Sequence, residues 1–390
     1  MNKNKRNKTA FLLALLGVVT ILFISVFLLI QSTASDNNRK PTVIPGITPT
    51  DAPDPTSEAI PTEVPNPTSE ATPTDASNSV SEAAPTNAPT PASEITPTAA
   101  PAPSDKISNN TPTPAGKATV KLHFINIGQG DSILIEDNGH FMLIDAGINE
   151  KGTTVTKYLK KLGVKRLDYV IGTHPHNDHI GGLDTVINAF KVDYVLLPDV
   201  SIDSENYEDV LDAIADNNLV ITRPAVGDTY TLGSASFVII SPNASSYESL
   251  NDYSIGIKLT YESNSFLLAG DAQTVSEAEM LENGIDLSAD VLKLSHHGSS
   301  TSSTVNFLDE VDPKYAVISV GKGNKYEHPH SATMRAMKER AIKLYRTDKQ
   351  GSIVFTTDGK NITVNVKPYA ITSSDMTSDA AEKAAIAKGY

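Results

Sequence analysis

Thr173-His-Pro-His-Asn-Asp-His-Ile-Gly-Gly182 is the stretch on which the reading of this chain turns. It follows at once on Leu167-Asp-Tyr-Val-Ile171, an apolar run of strand character. Residues two apart at the mouth of an extended segment point to the same side, so His174 and His176 can share one metal ion. Asp178 and His179, displaced by a short turn, can then face a second. Gly181 and Gly182 let the loop fold tightly before a helix. The chain has nine histidines, and seven fall in three short clusters: His174, His176 and His179; His296 and His297; His328 and His330. Scattered packing histidines would not bunch like this, whereas His123 and His140 stand alone and read as packing residues. One cluster cannot close two metal sites. Asp271 and the His296–His297 pair are placed to help, because each follows a run that reads as a strand ending at the same edge.

Outward from that loop, short apolar runs alternate with helical periodicity. Val120–Ile127 and Ser132–Glu136 read as strands joined by a tight turn at Gly128-Gln-Gly-Asp131, and Phe141–Asp145 follows across Asp137-Asn-Gly139, a hairpin signal. Further strands are expected at 193–197, 236–240, 255–261, 266–269, 289–294, 315–320, 352–356 and 362–366. Helices are expected at 153–162, 207–215, 275–281 and 332–344, the last with Ser331 as N-cap. These elements describe a mixed α/β domain over residues 118–367, with 368–390 as a flexible tail.

The region before it differs. Lys3, Lys5, Arg6 and Lys8 precede an uncharged run from Thr9 to Ile30, long enough to cross a bilayer as a helix. Residues 1–30 therefore read as a basic N-terminus and transmembrane signal-anchor that keeps the rest outside the cytoplasm. Ser32-Thr33-Ala34 offers the alternative of cleavage and secretion. Residues 31–117 hold 17 of the 24 prolines and almost no large apolar residues, the composition of a disordered Pro/Thr/Ser-rich linker or stalk. With no cysteine, disulfide scaffolds, zinc ribbons and thiol nucleophiles are excluded. From 118 onward, 24 Lys and Arg stand against 36 Asp and Glu, so the folded part is acidic and shows no basic stripe.

Taken together, Ile127-Gly-Gln-Gly-Asp-Ser132, Ile144-Asp-Ala-Gly147, His174 to Gly182, Asn251-Asp-Tyr-Ser254, Ala269-Gly-Asp271, Leu294-Ser-His-His-Gly-Ser299, Asn324 to His330 and Arg346-Thr-Asp348 resemble the metallo-β-lactamase-fold hydrolases. Within that superfamily they are most similar to the exported C-terminal domain of ComEC-type competence proteins and its stand-alone relatives. The resemblance implies a four-layer αββα sandwich with two divalent metal ions, zinc or manganese, at one edge of the paired sheets. It makes His174 and His176 ligands of the first ion, Asp178 and His179 ligands of the second, Asp271 the bridging carboxylate, and one of His296 and His297 the last ligand. His297 is favoured as that ligand, leaving His296 for acid/base or substrate contact. One departure stands out. Broader members place another histidine between the first motif and the aspartate, and here none occurs between 179 and 296. Water or a group such as Asp252 would have to complete the first ion.

The implied chemistry is attack by metal-activated water on a phosphodiester, with DNA as one candidate substrate. Asp178, besides binding metal, is expected to handle a proton or orient the nucleophile. His328 and His330, with Asn324 and Tyr326, are candidates for binding or protonating the leaving oxygen, unless they cap a helix at the domain edge. Asp131, Asp145 and Asp348 are expected to orient loops or ligands. Lys322, Lys325, Arg335 and Arg346 could form a local positive lip in a domain whose overall charge argues against tight duplex binding. Two other readings are a hydrolase of cell-surface phosphodiesters, such as choline or teichoic-acid decorations, and a non-catalytic surface binding module. β-Lactam hydrolysis fits poorly with the missing histidine and the His-His-Gly-Ser sequence. Apart from the membrane, no protein partner is evident.

Overall fold

The computed structural model describes residues 119–377. The expected anchor, the linker and the chain beyond 377 lie outside them. Among the described residues no helix is long and apolar enough to cross a membrane.

Two mixed sheets face each other. In the first, eight strands run in the spatial order Ile362–Val364, Ile353–Thr357, Val120–Phe124, Ile133–Asp137, His140–Ile144, Arg166–Ile171, Lys191–Leu196 and Ile221–Thr222. Pairing is antiparallel as far as His140–Ile144 and parallel beyond it. In the second, the order is Lys343–Arg346, Tyr315–Ile318, Val291–Lys293, Asn264–Leu268, Gly256–Tyr261, Ala235–Ser241 and Thr229–Leu232, with the first four strands parallel. Alternation builds the layers. Val120, Leu122 and Phe124 of one sheet meet Phe237, Leu259 and Phe266 of the other in a core between the sheets. Leu134 and Leu143, pointing the other way, pack under the helices Gly152–Lys161, Leu183–Ala189 and Glu205–Asp216. A third core joins Leu267 and Leu292 to the helices Thr274–Glu282, Val305–Val311 and Ser331–Glu339. The result is helices on both outer faces of two stacked sheets.

Several expectations are corrected. The turn at Gly128–Asp131 is part of a longer loop: Val120–Phe124 pairs with Ile133–Asp137, and residues 125–132 between them carry Asp131 inward. The helix expected to reach 344 ends at Glu339, with His330 at its N-cap position. Ala341 then takes a positive φ of 54° and the chain re-enters the second sheet at Lys343. Residues 368–377, expected to begin a flexible tail, are packed on the domain. Tyr369 N donates to Leu344 O (2.7 Å), Arg346 pairs with Asp375 (3.1 Å), and Tyr369, Ile371 and Met376 lie against the third core.

What matters for the site is direction. The strands ending at Ile171, Leu268, Lys293 and Ile318 all release their loops at one edge, the carboxyl ends where ligand crevices form in parallel sheets.

Candidate metal centre

Four loops meet at that edge. Residues 125–132 bring Asp131, and Gly130 (φ +115°) makes the approach: a Cβ there would lie 2.1 Å from Asp178 O, while Asp131 N donates to that same oxygen at 3.1 Å. The loop after Ile171 brings His174, His176, Asp178 and His179. Asp271 follows the strand Asn264–Leu268. His296 and His297 follow Val291–Lys293, both with left-handed backbone (φ 51° and 55°), a conformation that costs roughly 1–3 kcal/mol per residue and is concentrated at functional sites.

Three buried imidazoles have their outer nitrogen committed. Thr173 Oγ1 donates to Asp145 Oδ2 (2.8 Å), so its lone pair is left to accept from His174 Nδ1 (3.1 Å). His179 Nδ1 donates to Asp145 Oδ2 (2.8 Å), and His297 Nδ1 to Ser319 O (3.0 Å). Each inner Nε2 therefore presents a lone pair when the ring is neutral. His174 Nε2 lies 3.0 Å from His176 Nδ1. His179 Nε2 is 3.1 Å from Asp271 Oδ2, and His297 Nε2 is 3.3 Å from both Asp271 Oδ2 and Asp178 Oδ2. Where neutral His179 or His297 would set a lone pair against a carboxylate, a cation has to lie between them, either a metal ion or a proton on the ring. Asp131 Oδ1 and Asp271 Oδ1 are moreover buried without a hydrogen-bond partner. Ligand atoms of Asp131, His179, Asp271 and His297 all lie within 4.8 Å of one another. The donor set, imidazole and carboxylate with no thiolate, suits zinc or manganese.

Charge agrees with geometry. Burial disfavours a charged His179 and His297, yet Asp271 with Asp145 or Asp178 outweighs it, lifting His179 well above its ordinary value and His297 to about 9. Burial likewise opposes ionisation of Asp271 and Asp178, but the two imidazoles hold both carboxyls well below the usual range. Burial pushes the Asp145 carboxyl up, opposed by His179 and by Thr173, which donates to both its oxygens. In the metal-free protein, protons on histidine stand in for a cation.

Lys293 was not among the residues singled out from sequence, and it is central. Fully buried, its ammonium sits 2.6 Å from Asp131 Oδ2 and 4.0 Å from Asp271 Oδ1 and donates to Gly270 O and Leu294 O. Burial lowers its basicity, but Asp131 and Asp271 raise it further, so it stays charged. The signal was present as a lysine inside the apolar run Val291-Leu-Lys-Leu294.

A cavity of about 340 Å³ opens over the cluster, lined in part by Gln129, His176, Asp178, Asn251, His296 and His328. His296 lies away from the carboxylates, its Nδ1 near Gln273 Nε2 (3.2 Å) and Thr301 Oγ1 (3.0 Å); burial lowers its pKa. Burial, then His330 and His296, push His328 down to about 3, so it is a neutral ring, unsuited to delivering a proton near pH 7.

His330, a catalytic candidate in sequence, ties loops instead: Ser300 N donates to its Nδ1 (2.9 Å) and its Nε2 donates to Tyr326 O (3.2 Å). Asp252 does not reach the metal cluster either; its Oδ1 accepts from Gln273 N and Ser276 N at the start of the helix Thr274–Glu282. Of the expected positive lip, Arg346 is buried in a two-pronged pair with Asp348, and Arg335 Nη1 donates to Met376 O, whereas Lys322 and Lys325 are exposed.

Comparison with known proteins agrees with this geometry. The family model described as the metallo-beta-lactamase superfamily matches residues 125–322. The chain is 31% identical over 278 residues to ComE operon protein 3 of Bacillus subtilis, covering 66% of this chain and 35% of that protein. It is 30% identical over 233 residues to competence protein ComA of Neisseria gonorrhoeae, covering 58% of this chain and 31% of that one. It thus spans about a third of the length of these relatives. The solved metallo-beta-lactamase fold protein YhfI from Bacillus subtilis aligns at 12% identity over 62% of this chain and 100% of that one, with a TM-score of 0.43, too distant to bear on function.

Proposed function

The chain belongs to the metallo-beta-lactamase superfamily and is related to the ComEC-type competence proteins, and from that premise we propose that it is a metal-dependent phosphodiesterase or nuclease acting outside the cytoplasm. The observation that carries the reading is the convergence of the inner nitrogens of His179 and His297 with the carboxylates of Asp271 and Asp178 in one largely buried cluster, where a divalent cation would take the place that ring protons hold in the metal-free protein.

His174 and His176 would hold one ion, and Asp178, His179 and His297 a second, with Asp271 shared; zinc and manganese both suit these donors. Divalent ions held there would lower the pKa of a bound water and offset the negative charge that builds at phosphorus. Asp178, kept ionised beside His297, accepts a hydrogen bond from the attacking water and orients it. The water gives up one proton to solvent as its oxygen bonds to phosphorus, one ester P–O bond breaks, and the departing alkoxide takes a proton from solvent. His296 and His328, neutral and lining the cavity, are placed to donate hydrogen bonds to phosphoryl oxygens. Lys293 keeps Asp131 occupied, so that carboxylate supports the site from behind. The apolar run 9–30 and the linker after it suit a domain held away from a membrane.

Full-chain protein is assayed on bis(p-nitrophenyl) phosphate with zinc, manganese or cobalt. Turnover that needs metal and falls at least about 100-fold in His176→Ala and Asp178→Ala supports the reading. No turnover with any of the three metals leaves the non-catalytic binding module ahead. Release of phosphocholine or glycerol phosphate in preference to cleavage of DNA moves the substrate to cell-surface decorations.

A further inference from the structure

The loop from Gly321 to His328 holds an aromatic ring in solvent at the rim of the cavity. Tyr326 is 49% exposed and lines that cavity. An exposed tyrosine on a loose loop would mean little, but this loop is tied at both ends and in the middle. Asn324 Nδ2 donates to Gly321 O (3.0 Å) and His328 O (2.7 Å), and its Oδ1 accepts from Tyr326 N (3.1 Å) and His328 N (3.0 Å). His330 Nε2 fastens Tyr326 O, and Gly321 N donates to Gln129 Oε1 (3.2 Å) on the opposite wall. Beside the Tyr326 ring, His328 lies nearly parallel at 5.7 Å, and its Nδ1 is buried without a hydrogen-bond partner. Lys325 Nζ stands 5.0 Å from the Tyr326 ring centre, and Lys322 is exposed on the same loop. The fold therefore presents a braced, half-exposed ring with the Lys325 ammonium against it and a second exposed lysine, Lys322, on the same loop, in a domain that carries net negative charge.

Planar rings carried on a phosphate backbone match that surface: the ring stacks on tyrosine while lysine moves to the neighbouring phosphate. A polyol phosphate offers no ring to stack, and the quaternary ammonium of a choline ester, which an aromatic face can also hold, is repelled by the Lys325 ammonium 5.0 Å from the ring centre. We propose that Tyr326 is a specificity-determining platform for an unpaired nucleobase next to the scissile phosphodiester, so that the preferred substrate is single-stranded nucleic acid. The inference rests on the phosphodiesterase reading above but is tested apart from it.

Binding is measured by fluorescence anisotropy on the full chain with Mn²⁺, in an Asp178→Ala background to suppress cleavage, using a labelled dT15 and an abasic 15-mer of equal phosphate count. Tyr326→Ala should weaken dT15 binding about 5- to 150-fold, the range base–aromatic stacking supplies, and leave the abasic strand unchanged; Tyr326→Phe should keep the preference. In the catalytically intact chain the same change should raise KM for dT15 with kcat nearly unaltered. Equal loss on both probes, or no loss, overturns the platform. If Tyr326→Ala fails to fold, the Asp178→Ala parent decides: equal affinity for dT15 and the abasic strand, or for dT15 and its duplex with dA15, overturns it too. A base preference without turnover on any substrate sinks the hydrolase and leaves the platform standing.

Discussion

Lys293→Met tests the electrostatics of the centre most severely. Methionine matches the aliphatic stem of lysine and lacks the ammonium, and the site is completely buried. The loss strips Asp131 Oδ2 of a partner at 2.6 Å and takes the ammonium donor from Leu294 O and from Gly270 O, which keeps only His296 N at 3.3 Å. Breaking a buried ion pair from one side costs about 3–5 kcal/mol, because a charge is left desolvated and unpaired. Urea unfolding of the metal-free full chain, followed by near-ultraviolet signals of the folded domain, should show a loss of about that size. Adding Asp131→Leu removes the stranded charge, so the double variant should recover at least about 2 kcal/mol over Lys293→Met alone. Lys293→Met also makes the cluster one unit more negative, so millimolar Mn²⁺ should stabilise it more than wild type. A cost below about 1 kcal/mol, or a double variant no better than the single, would refute the idea that Lys293 and Asp131 form a mutually dependent buried pair.

Three further outcomes follow from the same geometry. Thr173→Val removes the hydroxyl that fixes His174 and feeds Asp145, and should weaken metal binding about 10- to 100-fold in chelator competition without unfolding the domain. In metal-free protein His297 has its pKa raised from an ordinary 6.5 to about 9, so its contribution to stability is full below 6.5 and is lost as pH climbs through 9; thermal unfolding in chelator should show stability from this group declining over that window, and metal uptake should release protons. His330→Ala cuts the tie between Ser300 and Tyr326, so it should lower Tm by several degrees while leaving the shape of the pH–rate profile unchanged; a shifted acid limb would restore a proton-transfer role.

Much of the architecture was legible because its signals are local. Alternation in Val120–Phe124 and Ile133–Asp137 marks which side faces the other sheet, and the histidine clusters mark where loops leave strands. Short pieces escaped notice: the helix Val305–Val311 and the strand Lys343–Arg346 were missed, the latter absorbed into a helix whose periodicity carries on past its real end at Glu339. At the site, sequence spacing could group His174, His176 and His179 but could not tell His296 from His297. Their adjacent left-handed backbones turn one ring to Asp178 and Asp271 and the other to Gln273 and Thr301, an outcome set by tertiary contacts. The same limit explains His330 and Asp252, whose residue types suit catalysis or metal binding but whose partners are backbone amides. Lys293 was overlooked because a charged residue in an apolar strand has meaning only once Asp131, 162 positions earlier, is seen beside it.

Anomalous diffraction from crystals of the protein grown with Mn²⁺ or Zn²⁺ would locate the ions against the imidazole and carboxylate cluster. A peak about 2.0–2.3 Å from His179 Nε2, His297 Nε2 and a carboxylate oxygen of Asp271, with a second beside His174 Nε2 and His176 Nδ1, is the result expected. Anomalous density confined to surface carboxylates, with these imidazoles bonded only to protein, would contradict it.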